Sequence, residues 1–185
     1  NSLASRGGYM SEVWHTGTYN LDAACKNTWN RARMPCSTQK NSPDITIGNR
    51  ASAQCKYYRT AYETAKQQLN PGYKNQQRIV PADQYGDSFK AGTRRIKINE
   101  AKGRTEVAKA QRDARDLLTD RFTYNGAEST PISKESIDNM ARIDCNKPGA
   151  KKLFESNPEV RKQKLKANKA IINRIAFTCA IGFGI

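Results

Sequence analysis

The sequence predicts an all-α protein: a small bundle of about four to six helices with long irregular arms. Three observations predict it. Apolar residues recur at steps of three and four along several stretches between 49 and 179. Helix start and stop signals bound these stretches, as at Asn157-Pro158-Glu159. Gly and Pro are dense in residues 1–48 and again near 70–97. The chain then divides into an irregular arm with a short helix (1–48) and a helical domain (49–185) with an extended polar connector near 70–97.

In chain order, the short helix is expected from Asn20 to about Arg33. Asn20 caps it, Asp22 sits near its positive end, and Pro35 ends it. The next helix is expected over Asn49–Leu69. Ala51, Cys55, Tyr58, Ala61, Tyr62, Ala65 and Leu69 fall on one face, and Asn70-Pro71-Gly72 stops it. In the connector, Arg94-Arg95-Ile96-Lys97-Ile98 alternates weakly and reads as a short strand or coil. A long helix follows from about Ile98 to Phe122, weakened early by Gly103. Its stripe is Val107, Ala110, Ala114, Leu117, Leu118 and Phe122. Asn125-Gly126 is a turn signal. Ser133 caps a shorter helix closed by Pro148-Gly149. The last helix runs from Pro158 to about Cys179. Leu165, Ile172, Ile175, Ala176 and Cys179 form its expected buried side, and Arg161, Lys162, Lys164, Lys166, Lys169 and Arg174 lie opposite. The apolar tail, Ala180 to Ile185, is expected to pack in a groove.

Charge restricts the partner. The 185 residues carry 32 Lys+Arg against 17 Asp+Glu, a net charge of +15. Mean hydropathy is −0.84. Such an excess repels itself unless an acidic partner neutralises it. Nucleic acid and an acidic protein assembly both qualify; an anionic membrane surface fits least, because the basic residues are spread along the chain rather than set opposite one apolar face. A membrane span does not, since no run approaches the ~20 apolar residues a helix needs. The chain opens Asn1-Ser2-Leu3 rather than with Met, and no signal or transit sequence is legible.

Catalytic constellations are sparse. His15 is the only histidine, so a Ser-His-Asp or Cys-His site would rest wholly on it. The carboxylates and arginines at 112–121 read as solvated ion pairs. There is no GxxxxGK[ST] and no GxGxxG. The five cysteines lack CxxC spacing, which argues against zinc. For nucleic acid, the basic last helix and Arg94-Arg95 supply phosphate contacts, and Tyr57, Tyr58 and Tyr73 supply stacking surfaces.

Four cysteine contexts stand out. Cys25 lies beside Lys26 and near Trp29; Cys36 follows Arg33; Cys55 precedes Lys56-Tyr57-Tyr58-Arg59; Cys145 follows Asp144. Nearby cations favour thiolate and pair with ligand carboxylates. Asp22, one helical turn from Cys25, suits the pyrrole N–H groups of a linear tetrapyrrole. Ordinary core cysteines beside basic residues remain the other reading.

The basic charge, with Cys25-Lys26, Cys36, Cys55-Lys56-Tyr57-Tyr58-Arg59 and Cys145, resembles phycobilisome rod linkers, in particular the phycoerythrin gamma-type of red algae. That resemblance implies a non-enzymatic light-harvesting linker inside acidic phycobiliprotein hexamers. It implies phycoerythrobilin or phycourobilin, thioether-linked at Cys25, Cys36, Cys55 or Cys145. It also implies a chloroplast location on the stromal side of the thylakoid. The leading expectation is therefore a basic scaffold for acidic subunits, with Trp14, Trp29, Tyr58 and the tail filling partner pockets. An RNA-binding or ribosome-associated structural protein is the alternative, and a secreted effector is a third reading.

Overall fold

A 23-residue helix, α1 (Leu3–Cys25), occupies half of the segment expected to be an arm. The computed structural model describes residues 3–35, 37, 39–143 and 147–182. After α1 come β1 (Ile45–Ile47), β2 (Ala51–Cys55), α2 (Ala61–Gln68), β3 (Gln77–Ile79) and a 3-10 turn (Ala82–Gln84). Then follow α3 (Tyr85–Ala101), α4 (Thr105–Asp116), β4 (Leu118–Thr119), β5 (Thr123–Tyr124) and β6 (Ala127–Glu128). The chain continues through α5 (Lys134–Ile143), α6 (Lys147–Ser156) and α7 (Pro158–Gly182). The described residues are mostly helical but not all-α, with short strands in two small sheets.

The larger sheet has the order β1-β2-β3-β4. β1 and β2 form an antiparallel hairpin, turned at Gly48 with φ +51°. β2 runs parallel to β3, with Cys55 opposite Ile79, and β3 runs parallel to β4, with Ile79 opposite Thr119. Parallel neighbours require crossovers, which α2 and the α3–α4 pair supply. One apolar layer joins α1 to the sheet and to α5–α7, through Met10, Trp14, Tyr19, Ile45, Ala53, Ile79, Phe122, Ile137, Phe154 and Val160. A second, smaller set of buried residues (Ala65, Leu69, Val80, Ile96, Ala108 and Leu118) belongs to the α2–α4 side.

The N-terminal correction has a tertiary cause. Gly7, Gly8 and Gly17 read as helix breakers, yet two of them serve close packing inside α1. A Cβ on Gly17 would overlap the Phe154 ring of α6, and one on Gly7 would stand 3.3 Å from Asp138 Oδ1 of α5. Helix propensity is thus overridden by the approach of neighbouring helices. Gly17→Ala should therefore destabilise by about 1–3 kcal/mol despite alanine's better propensity. Phe154→Leu in the same chain should restore part of that loss in a urea titration. An additive double variant would show that the two sites do not meet.

No helix spans 20–33. Asn20 lies inside α1 and is no cap; its amide bonds the Ala32 backbone twice, at 3.0 Å to the carbonyl and 2.8 Å from the N–H. These bonds fix the return loop, and Asn27, at φ 58°, ends the helix in the left-handed region.

The expected 49–69 helix divides into β2 and the short α2. A capping box sets the start of α2: Thr60 Oγ1 accepts from Glu63 N–H, and Glu63 accepts from Thr60 N–H. The expected connector contains β3 and most of α3, so Gly86 and Gly92 lie inside a helix rather than breaking one. Gly92 faces inward, where a Cβ would lie 3.4 Å from Arg115 and 3.7 Å from Leu69. The long 98–122 helix is broken at Gly103 (φ +68°) into α3 and α4 and ends in β4.

Three expectations hold. Asn125 and Gly126, both at positive φ, make the β5–β6 turn. Ser133 Oγ accepts from Ser136 N–H at 3.1 Å. Asn157 Oδ1 accepts from Glu159 N–H at 3.0 Å at the start of α7. Pro148-Gly149 does not close a helix but sits in the first turn of α6, where proline costs little. On α7, Val160 and Ala167 are buried, whereas Leu165 and Ile172 are exposed. The side chains of Ile175, Ala176, Cys179 and the tail lie outside the described set. No helix of the described residues is long and apolar enough to cross a membrane.

Candidate nucleic-acid interface

α3 turns one stripe inward and leaves a basic one outside. Ser88, Gly92 and Ile96, four residues apart, are buried. Helical spacing then sends Phe89, Lys90, Arg94, Lys97 and Ile98 to the surface. α2 lies alongside, tied by a 3.3 Å bond from Ser88 Oγ to the Ala61 carbonyl. Its Tyr62 is 55 % exposed, and Phe89 and Ile98 are 38 % and 46 % exposed.

Two hollows follow this face. One, of about 610 Å³, is lined by Ala61, Tyr62, Asp87, Lys90, Ala91, Arg94 and Ile98. The other, of about 430 Å³, shares Lys90 and Arg94 and adds Phe89, Thr93 and Lys97. Asp87 is the one acid on either lining, and its pair with Lys90 at 3.2 Å is largely solvated. Guanidinium groups brace the rings. Arg95 Nη1 donates to Tyr62 Oη at 3.2 Å, and the Arg115 guanidinium lies 4.9 Å from the Phe89 ring centre. The face therefore offers aromatic surface set among cations that remain open to a ligand.

The sequence located part of this face. Arg94 lines both hollows, and Arg95 donates to Tyr62 on the same face. The tyrosines chosen for stacking fare differently. Tyr57 is buried, Tyr73 sits half-buried beneath Lys56 and Arg78, and Tyr58 is exposed on the loop before α2. Tyr62 and Phe89, the exposed rings of this face, are not among the residues that the sequence singled out for stacking. Their signal was available: once 85–101 is read as helix, Phe89, Lys90, Arg94 and Lys97 share a surface. Of the residues expected to fill partner pockets, Trp29 is 90 % exposed, but Trp14 is in the core and donates to the Thr130 carbonyl at 2.8 Å.

His15 also lies in the core. Its Nδ1 is 2.7 Å from Ser129 Oγ and its Nε2 is 2.8 Å from Tyr57 Oη. Ser129 Oγ accepts from Phe122 N–H, so the hydroxyl proton can serve the imidazole. Either tautomer satisfies both ring nitrogens. Burial pushes the imidazole down to about 3, only partly opposed by Asp120. A neutral imidazole enclosed on both sides joins α1 to β6 and to the end of β2; it is not open to a substrate.

A second titratable cluster lies where α1 meets β2. Asp44 Oδ2 accepts from Cys55 N–H at 2.9 Å and from Lys56 Nζ at 3.3 Å. Glu12 stands near this pair, and burial first, then the Asp44 charge, raises its carboxyl to about 8, with Lys56 opposing.

The four cysteines are not brought together. Cys25 and Asp22 share a cleft beside α7. Cys55 is in the core, and burial pushes its thiol well up, so a bulky adduct there would need the core opened. Cys36 and Cys145 lie outside the described residues. Among the described residues, no group of three or more His, Cys, Asp or Glu is placed to hold a metal ion.

Comparison with known proteins finds no matching family model, no matching curated protein and no matching solved structure.

Proposed function

We propose that the protein is a non-enzymatic nucleic-acid-binding protein whose α2–α3 face holds a single strand or an unpaired loop. The observation that carries this reading is the placement of exposed Tyr62 and Phe89 among Lys90, Arg94 and Lys97, with Asp87 as the one acid lining the hollows. Cations neutralise phosphates and release counterions. Aromatic rings stack on bases of any sequence. The linker reading needs long arms to thread an acidic assembly, and half of the first expected arm is the folded helix α1. The net charge of +15 supports an anionic partner in both cases.

Fluorescence anisotropy with a labelled single-stranded RNA tests the proposal. Binding should weaken steeply with salt. Lys90→Ala/Arg94→Ala/Lys97→Ala should reduce the log–log salt slope by about 2, at ~0.7 per phosphate contact. Tyr62→Ala/Phe89→Ala should instead weaken binding at every salt concentration and leave the slope near its original value, at ~1–3 kcal/mol per stacked base. Unchanged affinity in both variants would remove nucleic acid from this face. Polyglutamate binding as tightly as RNA would return the acidic-protein scaffold.

A further inference from the structure

We propose that the cleft between α1, the segment after β6 and α7 is a binding site for a small phosphomonoester, held by Lys162 and Lys166. The cleft has a volume of about 440 Å³, within the ~300–1,000 Å³ usual for small-molecule sites. Leu21, Asp22 and Cys25 line one wall, residues 128–131 a second, and Glu159, Lys162, Gln163 and Lys166 a third.

The charges of the lining are unequally satisfied. Asp22 Oδ2 accepts from Lys26 Nζ at 2.9 Å and from Glu128 N–H at 2.8 Å. Glu128 accepts from Arg121 at 3.3 Å. Glu159 accepts from Gln163 Nε2 at 3.3 Å, and the same amide also donates to Thr130 Oγ1 at 2.8 Å. Each carboxylate thus has a protein donor. Lys162 and Lys166, one helical turn apart on α7, form no ion pair or hydrogen bond among the described residues, yet both line the cleft. Lys162 and Lys166 are thus the lining cations left open to an anion, beside Glu159, which is held by a neutral amide alone.

Lysine ammonium groups meet phosphate as point charges, and the two charges here can share a phosphomonoester dianion. Leu21 and Pro131 give the body of the ligand an apolar surface. These elements differ from those of the α2–α3 face, so the site does not depend on nucleic-acid binding.

Cys25 lines the same cleft and reports its occupancy. The test is alkylation of Cys25 by iodoacetamide at constant ionic strength, mapped by peptide mass, with phenyl phosphate as the probe. Labelling should slow several-fold as phenyl phosphate is raised through the millimolar range, and phenol should have no effect. Lys162→Met/Lys166→Met should lose the protection, and calorimetric titration with phenyl phosphate should lose its heat in step. Lys90→Met/Lys97→Met should retain both signals, which separates this cleft from the general basic charge. Absence of protection, or equal protection in both double variants, overturns the site.

Discussion

Between pH 6.5 and 8.5 the protein is expected to become steadily less stable, and Glu12→Gln should abolish most of that decline. The cause is the Glu12 carboxyl, raised from 4.5 to about 8 by burial beside Asp44. Across that interval the folded chain keeps the proton and the unfolded chain has lost it. The contribution of Glu12 is therefore complete below about 4.5 and is lost as pH rises through about 8. His15 acts in the opposite sense. Burial holds it neutral down to about 3, against 6.5 when unfolded, so its contribution is complete above 6.5 and is lost as pH falls toward 3.

Between 4.5 and 6.5 the two proton counts cancel, which gives a plateau. Above 6.5 only Glu12 remains, at roughly 1 kcal/mol per pH unit. Glu12→Gln keeps the shape of the side chain and removes the ionisation. It should raise stability by about 2–4 kcal/mol at pH 8.5 and change little at pH 4.5. Urea titrations of both proteins at the two pH values measure this. Parallel pH profiles would show that Glu12 ionises freely in the folded state.

Loss of the buried imidazole should be the most damaging single polar change in the core. His15→Leu leaves the Tyr57 hydroxyl without its 2.8 Å partner in a site closed to water. Ser129 retains only the Phe122 N–H. An expected cost of about 2–4 kcal/mol follows from the desolvated hydroxyl and the altered packing. Tyr57→Phe in the same chain removes the orphan, so the double variant should be less destabilised than the sum of the singles by at least about 1 kcal/mol. Strict additivity in thermal or urea unfolding would mean that the histidine acts through packing alone. His15→Leu should also flatten the acid limb of the stability profile, since that limb arises from charging the imidazole.

Local signals in the sequence carried the C-terminal half further than the N-terminal half. Ser133, Asn157 and Asn125-Gly126 act through the backbone of their immediate neighbours, so their chemistry is visible in a few residues. The Thr60–Glu63 capping box was equally local and went unread. Gly17 and Gly92 are different. Their reason is Phe154 in one case and Arg115 and Leu69 in the other, partners distant in sequence, so each looked like a breaker inside a helix. The strands were concealed for a related reason. Each has only two to five residues, too few to separate alternation from helical spacing. Ala51-Ser52-Ala53-Gln54-Cys55 fits both periods, and pairing with β1 and β3 decides it. For the proposed interface, composition argues for an anionic partner, and Arg94-Arg95 marks one edge of the face. Tyr62 and Phe89 required the correct helix boundaries first.

The position of α1 imposes an order on synthesis. Part of its apolar side is covered by α5, α6 and α7, more than one hundred residues later in the chain, as where Trp14 meets Phe154. The segment 45–119 instead closes over short separations, strand to helix to strand. As the chain is made, the side of α1 that carries Trp14 therefore stays uncovered until α6 follows, while its sheet side can close early.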